Sequence, residues 1–272
     1  MMSTTGRESI EAGRAVLEAL DASAEQFTEC GDQLLQVTRF LVDQPRLRRA
    51  LSDPARKADD REGLIRQLLA GQVGDTAADV VAALVRGRWG TPSELMDGTE
   101  QLAVEALLLA AAKDGSLANV EDELFRFGRL VDGDAELASV LGASGTDPKG
   151  RASLTEQLLA GKAEPVTVKL ATAACFGIGG RSFHASLAHL VEVAAAARDE
   201  SVAYVTVAQP LDENGERQLG AKLSLVYGRP VALKVTVDPA IVGGIRVQVG
   251  SDLWDGTVSR RLDEARQALA GR

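Results

Sequence analysis

The chain has 272 residues, 45% hydrophobic and 25% charged, enough to bury a sizeable core and to form two or three domains. Thirty basic side chains against 39 acidic ones leave a formal charge of −9, a balance that repels phosphate backbones and anionic lipid. Nucleic-acid binding and electrostatic docking to a membrane are therefore disfavoured, and basic and acidic residues are mixed rather than blocked into a charged tail. No apolar run approaches the roughly 18 residues that span a bilayer. The longest, residues 102–112, is interrupted by Glu105, and the first residues are polar with no signal-peptide core. A soluble chain that reaches a membrane only through a partner is the expectation.

Taken in order, residues 7–20 place Ile10, Ala12, Val16, Leu17 and Leu20 at near-helical spacing. A longer helix runs through Phe27, Leu34, Leu35, Val37, Leu41 and Val42 and stops before Pro45, and a short one follows over 46–51. Asp53 and Pro54 mark a turn. The next helix carries Leu64, Ile65, Leu68 and Leu69 and ends at Gly71, placed as a left-handed cap, and another covers 76–86. Ninety residues further on the plan returns. Leu34, Arg39, Leu47, Leu51, Arg61 and Leu64 meet Leu124, Arg129, Leu137, Leu141, Arg151 and Leu154. Gln67 to Gly71 and Gln157 to Gly161 spell the same five residues. The 38 aligned positions from 34 to 71 hold 11 identities without a gap. Composition alone gives on the order of 3, so the chain contains an internal repeat. Residues 101–115 are placed to serve as the last helix of one copy and the first of the other.

After the second copy, Val202 to Gln209 alternates as a strand. Asp212 is placed to cap a helix striped by Leu219, Leu223 and Val226 and ended by Gly228. Val231, Leu233, Val235 and Val237 alternate, and Ile245, Val247 and Val249 repeat the pattern after Asp238, Pro239, Gly243 and Gly244. That break reads as a turn between two paired strands. Val258, Leu262, Ala265 and Leu269 then predict a closing helix. The fold class is mostly α with a small α+β C-terminal domain: two repeated helical bundles, 1–98 and 99–199, followed by a β-α-β-β-α tail over 200–272.

The run through Asp238, Gly243, Gly244, Arg246, Gly250, Asp255 and Gly256 resembles the C-terminal signature of the delta subunit of bacterial F-type ATP synthases. The mitochondrial relative is the oligomycin-sensitivity-conferring protein. The likeness extends upstream to the strand at Val202 that ends in Pro210 and Leu211. It implies a peripheral-stalk, or stator, subunit without an active site of its own, at the cytoplasmic face of the plasma membrane. It implies that the helical domain grips the N-terminal segments of the alpha subunits and that the tail contacts b-type stalk subunits. Carried over by position, the alpha-binding groove lies between the opening and fifth helices of a copy. In copy two these hold Val104, Leu107, Leu108, Val168, Leu170 and Phe176; in copy one, Val16, Leu17, Leu20, Val80, Val81 and Leu84. Continuity with the tail favours copy two. Copy one either reaches along the stalk or stiffens the joint.

Residues that carry chemistry are few. His184 and His189 are five apart on a predicted helix, whereas a metal pair on one helix face sits three or four apart. Cys30 and Cys175 are far apart in helix-like sequence and read as reduced thiols. Gly177, Gly179 and Gly180 follow a helix rather than a strand, so they do not form a phosphate cradle. Asp59, Asp60 and the acids at 121–123 are expected at helix starts. Asp238, Asp252 and Asp255 beside Pro and Gly suit turn hydrogen bonding better than a metal or acid–base set. Trp89, Trp254 and Tyr204 are expected to pack. No cofactor and no metal is expected. The competing reading is a small-molecule-sensing regulatory protein, an α/β module on a helical adaptor repeat.

Overall fold

The computed structural model describes residues 3–143, 147–200, 202–228, 231–238, 241, 243–249, 252–258 and 260. Two compact units result, Met1–Glu192 and Val193–Arg272.

The first unit holds α1 (Thr4–Glu18), α2 (Ala24–Asp43), α3 (Pro45–Ser52), α4 (Ala58–Leu69), α5 (Asp75–Arg86) and the long α6 (Pro92–Asp114). Then come α7 (Leu117–Gly133), α8 (Ala135–Gly142), α9 (Pro148–Leu159), α10 (Pro165–Ala174), a 3-10 turn (Ile178–Gly180) and α11 (Phe183–Glu200), within which the boundary between the units falls. Helix starts follow local chemistry. Ser3 accepts from the Gly6 N–H at 3.0 Å, and Ser23 and Gln26 form a reciprocal capping box. Gly71 and Gly161 end α4 and α9 at φ of 70° and 68°, a region open to glycine but costly for other residues.

The repeat is structural. α3 and α8, like α4 and α9, begin and end 90 residues apart. Arg61 and Arg151, at matching positions, are both buried. Each aims its guanidinium at helix C-termini. Arg61 donates to the carbonyls of Arg86 and Gly87 at 3.1 and 3.0 Å, and Arg151 to those of Leu141 and Cys175, both at 2.8 Å. A cation there meets the orphan carbonyls and negative ends of the helices. α6 belongs to both copies, packing on α1, α2, α3 and α5 as well as on α7 and α10. Its apolar residues are buried nearly all round: Leu95, Leu102, Ala103, Ala106, Leu107 and Ala111 are fully covered.

The acids at 121–123 depart from expectation, because α7 starts at Leu117 and places them beyond its first turn. Glu123 serves another helix instead. Its carboxylate accepts from the Glu164 N–H at 2.8 Å and the Thr167 hydroxyl at 2.6 Å, supplying α10 with the start that Pro165 and its neighbours lack.

The second unit contains β1 (Val202–Val207), α12 (Glu213–Tyr227), β2 (Ala232–Val237), β3 (Ile245–Val249) and β4 (Asp252–Asp255). Asp212 caps α12 through the Gly215 N–H at 2.7 Å, as its position predicts. The expected pairing of β2 with β3 is not what forms. The strand order is β2-β1-β3-β4, with β1 parallel to β2 and antiparallel to β3. The α12 crossover brings β2 back parallel to β1, and β3 lies on the other edge of β1, about 10 Å from β2 at the usual strand spacing. β1 takes the centre because Ala203, Val205 and Val207 are its buried face, continued by Val247 and Val249 and covered by Leu219, Leu223 and Tyr227 of α12. β4 is a strand beyond the three that alternation along the chain predicts. The predicted helix over 257–269 lies almost wholly outside the described residues.

Candidate partner-binding surfaces

The six copy-two groove residues do come together on α6 and α10, yet that seam is occupied. Leu107 and Leu170 are fully buried, Val104 and Leu108 nearly so, and Val168 and Phe176 half-buried, Phe176 just beyond the end of α10. α2 of the first copy covers them. A Cβ at Gly31 would stand 2.7 Å from the Leu107 side chain and 3.1 Å from the Ala103 carbonyl, so the two helices meet at close range. The Lys169 ammonium pairs with Asp32 at 2.5 Å, and the Arg39 guanidinium lies 4.3 Å from the centre of the Phe176 ring. Each polar contact is worth about 1 kcal/mol or less at such exposure. Apolar burial along the seam carries the joint.

The matching seam in copy one is different. Leu17, Val80, Val81 and Leu84 are buried beneath it, with Val16 and Leu20 half-buried at its edge. Two open depressions follow it. One, of about 380 Å³, lies between Thr5, Ser9, Ala12, Ala83 and Arg88. The other, of about 230 Å³, lies by Leu20, Gln26, Phe27, Gly74 and Thr76. Ser9 holds the floor of the first, accepting from the Arg88 N–H at 3.0 Å and donating to the Thr5 carbonyl at 2.8 Å.

In the tail, the signature residues build a junction between two stretches of chain. Gly244 sits at φ 88°, where an added Cβ would collide with the Gly256 carbonyl. The Gly256 N–H donates to the Ile245 carbonyl and the Val258 N–H to that of Gly243, both at 2.9 Å. Arg246 pairs with Asp255 at 3.2 Å across β3 and β4. The Asp255 carboxyl is held below its ordinary range by Thr257 hydrogen bonds and then by Arg246. Its 3.0 Å bond from the Thr257 N–H is the turn bonding expected of it. The Asp238 N–H donates to the Val207 carbonyl at 2.9 Å, tying the end of β2 to β1. Gly250 lies outside the described residues.

Trp89 packs as expected, with its indole N–H on the Leu84 carbonyl. Trp254 and Tyr204 are not buried: they are 59% and 44% exposed. Trp254 instead donates to the Tyr227 hydroxyl at 3.2 Å, which stands 3.2 Å from Asp252, pinning β4 to the end of α12. Strand register places Tyr204 and Leu253 on the sheet face opposite α12. On α12 itself Leu225 and Val226 point outward, 83% and 68% exposed.

His184 faces Asp132 at 3.5 Å, and burial pushes the His189 imidazole below its ordinary value. Both cysteines are buried free thiols. Burial pushes Cys30 up to about 12 and Cys175 in the same direction, which suppresses the reactive thiolate. Among the described residues no three His, Cys, Asp or Glu side chains are grouped to hold a metal, and no helix is long and apolar enough to cross a membrane.

A doubled helical repeat with an open seam, joined to a small α/β unit with outward apolar residues, is the architecture of a binding scaffold. The chain belongs to the ATP synthase delta (OSCP) subunit family, whose pattern matches residues 103–269. It is 52% identical to the ATP synthase subunit delta of Salinispora arenicola over 274 residues, covering 100% of each chain. The protein of the same name from Salinispora tropica matches at 52% over the same span. That of Streptomyces griseus matches at 42%, covering 99% of this chain and 100% of the relative. The first copy, upstream of residue 103, is thus shared by these relatives while lying outside the family's own pattern.

Proposed function

We propose that this chain is a stator subunit of the F-type ATP synthase. It links the N-terminal segments of the alpha subunits in the catalytic head to the b-type stalk at the cytoplasmic face of the plasma membrane, and it transforms no substrate. Membership of the delta family over the full chain is the observation that carries this reading. In it, bundle copies 1–98 and 99–199 face the head and the 200–272 tail faces the stalk. Exposed Leu225 and Val226 on α12, and Tyr204 and Leu253 on the opposite face of the sheet, support the tail assignment, since outward apolar side chains suit a partner helix. Holding under rotary load demands slow dissociation, hence nanomolar binding or tighter, about −12 kcal/mol.

Deletion of the gene followed by purification of the synthase tests the assignment. The expected result is a head that detaches from the membrane sector, with proton-driven synthesis lost and ATP hydrolysis by the freed head retained. A coupled, intact enzyme without this chain would refute it.

A further inference from the structure

We propose that the outward face of α7, carried by Asp122, Phe125 and Arg129, is a docking face for an amphipathic helix of another synthase subunit, one that offers a basic side chain to Asp122 and, two turns later, an aromatic ring to Arg129. This rests on the stator reading above and adds a contact to it. The internal repeat points there. At the 90-residue offset α7 is the counterpart of α2, and Asp32, Leu35 and Arg39 become Asp122, Phe125 and Arg129, with both charges kept and the apolar residue enlarged. Residues three and four apart share a helix face, so each trio forms one stripe. In the first copy that stripe is in use. Leu35 is buried, Asp32 takes the Lys169 ammonium at 2.5 Å, and Arg39 lies 4.3 Å from the centre of the Phe176 ring. Lys169 precedes Phe176 by the same seven residues, about two turns, that separate Asp32 from Arg39, so the two segments run in one direction.

In the second copy the same stripe is open. Phe125 is 55% exposed, Leu130 beside it is exposed too, and so are Asp122 and Arg129. The other charges along α7 are accounted for. Arg126 pairs with Asp122 one turn away, Glu121 adds negative charge next to Asp122, Glu123 is turned to the start of α10, and Asp132 faces His184 at 3.5 Å. The Asp122–Arg126 pair is exposed on both sides, hence weak and readily exchanged for an incoming cation. A second copy of this chain does not fit. The positions matching Lys169 and Phe176 are Asp79 and Arg86, which would set like charges against Asp122 and Arg129. Both are also held elsewhere, Asp79 by Arg66 at 2.8 Å and Arg86 by Asp59 and Glu62 at 2.7 and 2.5 Å. The occupant is therefore a helix of another chain with the pattern of the Lys169–Phe176 segment, running parallel to α7, with small or apolar residues where Phe125 lands.

The test replaces Phe125 by the photoreactive residue benzoylphenylalanine in the full chain, within the synthase assembled and purified from its own membrane, and maps the cross-links by mass spectrometry. The expected product joins position 125 to a helical segment of another subunit that carries Lys or Arg seven residues before Phe, Tyr or Trp. The same replacement at Glu156, exposed on α9, sets the background. Phe125→Asp and Arg129→Glu, both at exposed side chains, are expected to shorten the half-time of head retention on washed membranes by at least about tenfold, with an unchanged melting curve. Phe125→Leu, which installs the residue of the first copy, is expected to stay within about threefold of wild type. Cross-links no more abundant than background, cross-links confined to a second copy or to residues 200–272 of the same chain, or wild-type retention in both charged variants overturns the docking face while the stator reading stands. An intact synthase that lacks this chain altogether overturns both.

Discussion

Arg151→Met tests whether the buried arginines brace the helical repeat. In the folded chain the Arg151 guanidinium spans the Leu141 carbonyl near the end of α8 and the Cys175 carbonyl that follows α10, each at 2.8 Å. Hydrogen bonds from a charged donor contribute about 1.5–3 kcal/mol apiece, so losing both costs roughly 3–6 kcal/mol before any offset. The offset is the desolvation of a guanidinium that is only 9% exposed and whose Nε finds no partner. Methionine keeps much of the apolar stem and escapes that penalty. A net loss of about 2–4 kcal/mol follows, equivalent to roughly 5–15 °C in Tm for a unit of this size. Arg151→Lys should recover less than half, because one ammonium does not span two carbonyls. Urea unfolding is followed by circular dichroism and by Trp89 fluorescence in a Trp254→Phe background. Coincident transitions at both probes also show that the copies unfold together around α6. A loss below about 0.5 kcal/mol would refute the bracing role.

Glu100 gives a pH-dependent prediction. Burial pushes its carboxyl up to about 7 even though it accepts from the Gly179 N–H at 2.6 Å. A raised folded value means the folded chain keeps a proton that the unfolded chain releases near its ordinary value, so this contribution is full below about pH 4.5 and is lost as pH rises through about 7. Glu100→Gln should flatten that limb of a Tm-against-pH curve; an unchanged slope between pH 5 and 8 would count against it. Gly31→Leu should overpack against Leu107 and Ala103 and cost about 1–3 kcal/mol, read by the same urea unfolding. Gly244→Ala, at φ 88° against the Gly256 carbonyl, should destabilise the tail by about 2 kcal/mol or more, shifting the Trp254 fluorescence transition and leaving Trp89 in place. A double-mutant cycle of Asp32→Ala and Lys169→Ala should give about 0.5–1 kcal/mol of coupling, and zero coupling would remove the ion pair from the joint between the copies.

Much of the architecture is local and therefore readable. Helix spans follow from 3.6-residue spacing and from caps such as Ser23, Asp212 and Gly71, whose effect needs only a few neighbouring residues. The repeat is legible because identities at a fixed offset survive without any knowledge of packing; Arg61 and Arg151 match in this way, whereas their carbonyl partners depend on tertiary structure. β4 was not legible. Asp252, Leu253, Trp254 and Asp255 do not alternate, and Asp is depleted in strands, so only pairing with β3 and the Tyr227 contact reveal it. The role of Glu123 was hidden for a similar reason, since it caps a helix 41 residues away.

Sequence alone determined the spans of most helices, though not the start of α7, together with the doubling, the family and the mixed charge, all set by short-range periodicity or by identity along the chain. Tertiary structure alone decided that β1 separates β2 from β3, and that α2 lies over the seam expected to take a partner. Both are choices of which apolar face meets which. A stripe such as that of α6 is equally apolar whether its cover comes from its own chain or from another, and only packing in three dimensions settles the matter.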